Sequence, residues 1–238
     1  RGKDCMNYIK ELLFPGRCAV CDGIVKIGQN KVCVKCEGKF VPIEEPWCMK
    51  CGKQLTNSMS EYCGDCTKRT HIFTRGRAVF AYDSVASSLY RFKYQGRQEY
   101  AGYYGECAVK ILDSENVFKC ADALIPVPLH FTRKRKRGYN QAELFAKELG
   151  KYWKIPVRSD LVIRQKKTIP LKQLNPAQRQ NNLKKAFKLT QNDVKLKAII
   201  IVDDIYTTGS TIDSVAELFW QKGVRNIFFI TLAVGKGF

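Results

Sequence analysis

The chain has 238 residues, 45% of them hydrophobic, with 11 cysteines and a formal net charge of +19. No apolar run approaches the ~20 residues that a membrane helix needs, so a soluble, cytoplasmic protein is expected. At this length a core does not depend on covalent staples, and the cationic excess points to a polyanionic partner.

Eight cysteines form four C-x-x-C knuckles, Cys18/Cys21, Cys33/Cys36, Cys48/Cys51 and Cys63/Cys66, which recur every 15 residues. Two such knuckles joined by a hairpin-length spacer make a tetrahedral four-cysteine zinc site, so four imply two structural Zn2+ ions. The rival reading, a disulfide scaffold, fits poorly because no secretory signal is legible. Pairing first with second and third with fourth is the simplest topology, with a nested arrangement as the alternative. Cys5, Cys107 and Cys120 are left over and are expected to be buried thiols. The pattern predicts a double zinc ribbon over residues 1–70 and an α/β domain over 71–238. Such ribbons mostly replace a core too small to fold alone; nucleic-acid contact is their other use.

Past the knuckles, His71 is expected to be solvated or packed. Ala78–Tyr82 is predicted as an opening strand. Val85, Leu89 and Phe92 share one helix face, and Ala101, Tyr104, Ala108 and Ile111 another. Ala123–Leu129 reads as a strand whose prolines end its pairing. A basic loop follows, Arg133-Lys134-Arg135-Lys136-Arg137-Gly138, with His130 beside it as an acid/base candidate. Asn140 and Glu143 form a capping-box pattern that launches a helix through Leu144, Phe145 and Leu149. Residues 155–164 are predicted as a strand, 165–185 as a polar connection, 186–189 as a short strand, and 227–234 as the strand that closes the sheet. Strands alternating with helices indicate a mainly parallel sheet. Residues 130–190 carry 17 Lys and Arg against three acids, a local charge of +14. A field so concentrated suits pyrophosphate or nucleic acid, and Arg133, Lys134, Arg135 and Lys136 are its candidate phosphate contacts.

Ile199-Ile200-Ile201-Val202 reads as a strand buried on both faces, followed by Asp203-Asp204 and the loop Thr207-Thr208-Gly209-Ser210-Thr211, which enters a helix. Ligand crevices in open α/β sheets lie beyond the carboxyl ends of the strands, and a helix N-terminus offers free N–H groups to an anion. The rival, a Walker B-type Mg2+ strand, lacks a matching Gly-x-x-x-x-Gly-Lys-Ser/Thr loop. The segment resembles the phosphoribosyl pyrophosphate (PRPP) motif of type I phosphoribosyltransferases. That resemblance implies Asp203 and Asp204 as ribose ligands, and Thr207, Thr208, Gly209, Ser210 and Thr211 as the 5′-phosphate cradle. It further implies Mg2+ bound with PRPP, Arg137 and the Gly138 backbone near pyrophosphate, and a lid over 165–185 that includes Gln173 and Arg179. Transfer would pass through a ribose cation stabilised by Asp203 or Asp204.

Phe92-Lys93-Tyr94-Gln95-Gly96-Arg97, Ile125-Pro126-Val127-Pro128-Leu129 and Arg137-Gly138-Tyr139-Asn140-Gln141, with Gln173, Arg179, Asn182, Ala186 and Phe187 later, resemble the ComF family. Tyr139 stands where the family usually has Phe. The resemblance implies a phosphoribosyltransferase-type fold and a role in natural transformation, handling single-stranded DNA with a competence helicase. Whether the chain transfers a phosphoribosyl group, and to which acceptor, is left open by the sequence, as is oligomeric state. A nucleotide-salvage transferase and a non-catalytic PRPP-sensing regulator are the alternatives.

Overall fold

The computed structural model describes residues 15–25, 31–165, 186–191 and 195–235. After a short helix α1 (Gly64–Lys68), the chain forms β1 (Arg75–Ala81), α2 (Tyr82–Tyr94), α3 (Tyr100–Leu112), α4 (Asn116–Lys119) and β2 (Ala123–Pro126). It continues through α5 (Phe131–Arg137), α6 (Gln141–Trp153), β3 (Val162–Arg164), β4 (Phe187–Leu189), β5 (Ala198–Tyr206), α7 (Ser210–Trp220) and β6 (Asn226–Val234).

The main sheet has the order β1-β6-β5-β2, and every pair is parallel. Strands covered on both sides cannot alternate apolar with polar residues, and these do not. Ile199–Val202 and Ile227–Val234 are buried throughout. Leu124, Ile200, Val202 and Ile230 pack with Phe92, Tyr104, Phe145 and Leu149 of α2, α3 and α6. Ile125, Ile199, Ile201 and Phe229 face the other way, onto Ile212, Val215 and Phe219 of α7. With helices on both faces and cysteine ribbons before it, this is a type I phosphoribosyltransferase-like α/β fold.

Two segments differ from the sequence expectation. The predicted strand over 155–164 is split. Val157 makes one parallel bridge to Leu124, and Val162–Arg164 pairs antiparallel with Phe187–Leu189 in a separate two-stranded sheet. Between them the backbone turns at Ser159 and Asp160, where Arg158 donates to both Asp160 carboxylate oxygens at 2.9 and 2.8 Å. The basic loop is instead the helix α5. His130 Nδ1 accepts from Thr132 N–H to cap its start, and Gly138 at φ 81° ends it by donating its N–H to the Lys134 carbonyl at 2.8 Å. Lys and Arg are good helix formers, and nothing in a run of them breaks a helix before the glycine. The expected lid, with Gln173, Arg179 and Asn182, lies outside the described residues, as does Cys5.

The chain leaves β2 over the α6 face to reach Val157 on the outer edge, whereas it leaves β5 over the α7 face to reach β6. The crossovers diverge between β2 and β5, which is where an open sheet of this kind forms its crevice.

Candidate functional site

Strand β2 ends its pairing with β5 at Pro126↔Val202, but β5 stays paired with β6 as far as Tyr206↔Val234. Proline cannot donate to the ladder, so the early stop follows from Pro126 and Pro128. Asp203 and Asp204 therefore sit on β5 past the end of its neighbour, both partly exposed. Alternation along the strand points them to opposite faces. Asp204 pairs with Lys93 Nζ of α2 at 2.9 Å. Asp203 accepts from the Asp204 N–H at 2.8 Å. Burial, then the Asp204 carboxylate, push Asp203 up to about 7, against the pull of Lys93 and Arg164.

Beyond Tyr206 the chain turns through Thr207, Thr208 and Gly209, the last at φ 77°, and enters α7 at Ser210. Thr208 and Ser210 hydroxyls lie 3.0 Å apart at the mouth of the helix. First-turn N–H groups of a helix have no intrahelical partner, so this loop offers backbone and hydroxyl donors together. A Cβ at Gly209 would lie 2.8 Å from Tyr206 Oη and 3.0 Å from His71 Cε1, so the loop rests directly on those two rings. Carboxylates that accept from vicinal hydroxyls, next to donors for a phosphate, are the groups that a ribose phosphate requires.

Arg137 donates to Gln141 Oε1 at 2.8 Å and to Tyr94 Oη at 3.1 Å, with its guanidinium carbon 4.7 Å from the Tyr94 ring centre. Tyr139 Oη and Gln141 Nε2 both donate to the Phe92 carbonyl, near the end of α2. Asn140 caps α6 by accepting from Ala142 N–H and donates to the Val127 carbonyl at 3.0 Å. Glu143 does not close the expected capping box; it pairs with Lys147 at 2.8 Å. The segment 137–141 thus ties the ends of α2 and β2 to the start of α6. Arg133, Lys134, Arg135 and Lys136 are exposed on α5. Phe131 on the same helix is 69% exposed, and Tyr90 and Tyr94, 57% and 55% exposed, lie 5.2 Å apart on α2.

Sequential pairing of the knuckles is what the fold produces. The sulfurs of Cys18, Cys21, Cys33 and Cys36 lie within 4.8 Å of one another, and those of Cys48, Cys51, Cys63 and Cys66 do likewise. Cys21 Sγ is 3.8 Å from Cys33 Sγ, and Cys51 Sγ is 3.6 Å from Cys63 Sγ. These are no disulfides, and they match the edge of a tetrahedron with a Zn–S bond of about 2.3 Å. N–H groups of Gly23 and Cys33 donate to Cys21 and Cys18 sulfurs, each at 3.4 Å, as suits thiolates. Burial opposes ionisation of Cys18, but N–H groups of Cys21, Cys33 and Val20 bring it down to about 7; burial and neighbouring sulfurs push Cys36 up to about 12. Four sulfurs ionise together only around a cation, so both clusters fit structural zinc. Of the remaining thiols, Cys107 is half-buried, whereas Cys120 is exposed, against expectation.

Sequence reasoning places Lys93 within a pattern but gives it no role; its signal is its position after the buried Phe92 at the end of a helix. His71 is likewise left without a role by the sequence. In the fold His71 is buried, stacks on Phe73 at 4.7 Å, and its Nδ1 lies 2.7 Å from Asp213 Oδ2. Its partner is 142 residues away, so no local pattern marks the pair.

A double zinc ribbon family model matches residues 9–67. Competence protein F of Haemophilus influenzae is 31% identical over 220 residues, 90% of this chain and 95% of that protein. DNA utilization protein YhgH of Escherichia coli K12 is 29% identical, over 91% of this chain and 96% of that protein. Competence protein ComFC of Bacillus subtilis is 29% identical over 213 residues, 82% of this chain and 80% of that protein.

Proposed function

This chain belongs to the ComF family, and from that premise we propose that it binds PRPP with Mg2+ in the crevice between β2 and β5 and serves DNA uptake in natural competence, in the cytoplasm. One observation carries the reading. β5 outruns β2, exposes Asp203 and Asp204 along its free edge, and turns through Gly209 into the α7 N-terminus. In this reading the two carboxylates hold the ribose hydroxyls, and Thr207–Thr211 hold the 5′-phosphate. Arg137, set by the turn at Gly138, faces pyrophosphate. Charge placement of this kind is what a transfer through a ribose cation needs. The names of the relatives, which speak of competence and DNA utilization, support the cellular role.

Single-stranded DNA would run along α5, with phosphates on Arg133, Lys134, Arg135 and Lys136 and bases on Tyr90 and Tyr94. A helicase is the natural partner for such a strand. The test of the PRPP site is calorimetry with PRPP and Mg2+ on the Asp203→Ala/Asp204→Ala double variant. Binding should be abolished while the variant still folds and melts cooperatively, because both groups lie on β5 past the end of its pairing with β2. Unchanged affinity would remove the assignment. Pyrophosphate release from bound PRPP, with and without single-stranded DNA, separates an enzyme from a sensor.

A further inference from the structure

We propose that the second ribbon is a working part of the phosphate loop, with His71 as the positioning residue that transmits its state. The proposal rests on the reading of Thr207–Thr211 as a phosphate cradle.

The path is short and continuous. Cys48 and Cys51 are buried in the same apolar cluster as Phe73, Tyr206, Ile212 and Phe229. Lys50, inside the knuckle, places its Nζ 5.4 Å from the Phe73 ring centre. Phe73 is fully buried and stacks on His71. His71 reaches Asp213 in the first turn of α7, and the neighbouring Ile72 N–H donates to the other oxygen of the same carboxylate at 3.0 Å. Asp213 N–H in turn donates to the Gly209 carbonyl at 2.8 Å. Gly209 itself lies against the His71 ring and Tyr206 Oη. Tyr206 is stacked on Phe229 at 4.8 Å with the planes 5° apart. The residues that leave the ribbon, 71–73, therefore grip α7 by its first turn and floor the loop from below. Tight packing passes a displacement of such a segment directly to its neighbours.

The cradle presents its donors correctly only while this grip holds. A metal in the Cys48–Cys51–Cys63–Cys66 cluster fixes where residue 66 lies, and five residues later the chain places His71. Metal loading of this cluster then governs phosphate affinity.

The experiment uses the full zinc-loaded chain and ribose 5-phosphate as the probe, with affinity read by calorimetry and amide hydrogen exchange read at 207–213. His71→Phe keeps the stack on Phe73 and removes the bond to Asp213. Affinity should fall about tenfold, as the loss of one buried bond to a carboxylate implies. Exchange at 207–213 should quicken while β5 and β6 stay protected. His71→Asn, which restores a donor, should recover most of both, a rescue that mere packing would not give. Cys63→Ser, which breaks the cluster, should reproduce His71→Phe in both readouts, whereas Asp22→Ala at the other ribbon should leave them unchanged. Wild-type affinity and exchange in both His71→Phe and Cys63→Ser would overturn the proposal. No binding of the probe by the wild type would instead overturn the phosphate reading, and the exchange measurement would still report whether the grip exists.

Discussion

The two ribbons use the same four-cysteine spacing, yet they dock on different parts of the fold. The first docks on helices away from the loop. Arg97 clamps both Asp22 oxygens at 2.7 and 2.9 Å, Tyr100 donates to the same carboxylate, and Ser88 and Arg91 donate to the Ala19 and Val20 carbonyls. Its apolar residues Ala19, Val25 and Phe40 join the cluster of Phe92 and Tyr104. The second docks on the sheet itself. Gly76 N–H donates to the Lys50 carbonyl at 2.9 Å, and the Arg77 guanidinium carbon lies 3.5 Å from the Trp47 ring centre. Ligand spacing specifies the metal. The residues beside and between the ligands decide which part of the fold that metal supports.

The largest effect that tests this contrast is removal of the metals. Elemental analysis should return two zinc ions per chain, and one or none in a folded sample would break the premise. Zinc-binding free energy in such modules is about 10–16 kcal/mol and is also folding free energy, so chelation should unfold both ribbons. Losses of exchange protection should then differ by ribbon, at α2 and α3 for Cys18→Ser, and at the start of β1 and residues 207–213 for Cys48→Ser.

A second prediction asks whether either ribbon touches DNA. Changing Arg133, Lys134, Arg135 and Lys136 together to Ser should weaken single-strand binding to all sequences alike. The log–log salt slope should flatten by about 0.7 for each phosphate contact removed. Unchanged binding and slope would move the DNA surface to the ribbons.

Third, Asp22→Ala should lower stability by about 2 kcal/mol, the scale of hydrogen bonds to a charged group that is partly buried. Thermal melting checks this. Asp22 is held below the usual carboxylate range, burial opposing and Arg97 and Tyr100 prevailing. A melt unchanged by the substitution would mean that the first ribbon is held by its apolar contacts alone.

Much of this architecture was legible in the chain because it is local. Four knuckles at a fixed period, four β-branched residues before two acids, and a glycine inside a Thr/Ser loop each state their own geometry. The pairings across the fold were not. Phe92–Arg97 reads as one pattern, but its residues part company: Phe92 enters the core, Lys93 meets Asp204, Tyr94 meets Arg137, and Arg97 meets Asp22. Those partners lie 43 to 111 residues away, and single-sequence periodicity carries no information at that range. The charged run at 133–137 misled for a different reason. Charge marks exposure, whereas the helix there is set by a histidine cap and one left-handed glycine.

The last prediction concerns pH and the Asp203 carboxylate. Asp203 is raised to about 7 by burial and by Asp204, whereas an unfolded Asp titrates near ~3.9. Between those values the folded chain holds a proton that the unfolded chain has lost, so stability falls as pH rises through that window and levels above it. Asp203→Asn should abolish that slope, as denaturant melts at about pH 5 and pH 8 would show. Ribose hydroxyls donate best to the ionised carboxylate. If the charged form is the competent one, its fraction grows about tenfold from pH 6 to pH 8, and ribose 5-phosphate affinity grows with it. Calorimetry in buffers of different ionisation enthalpy should record proton release on binding near pH 7. His71→Phe should shift affinity at every pH by one common factor, because the grip on the loop and the ionisation of Asp203 act on different ends of the ligand. A factor that varies with pH would show the two ends to be coupled.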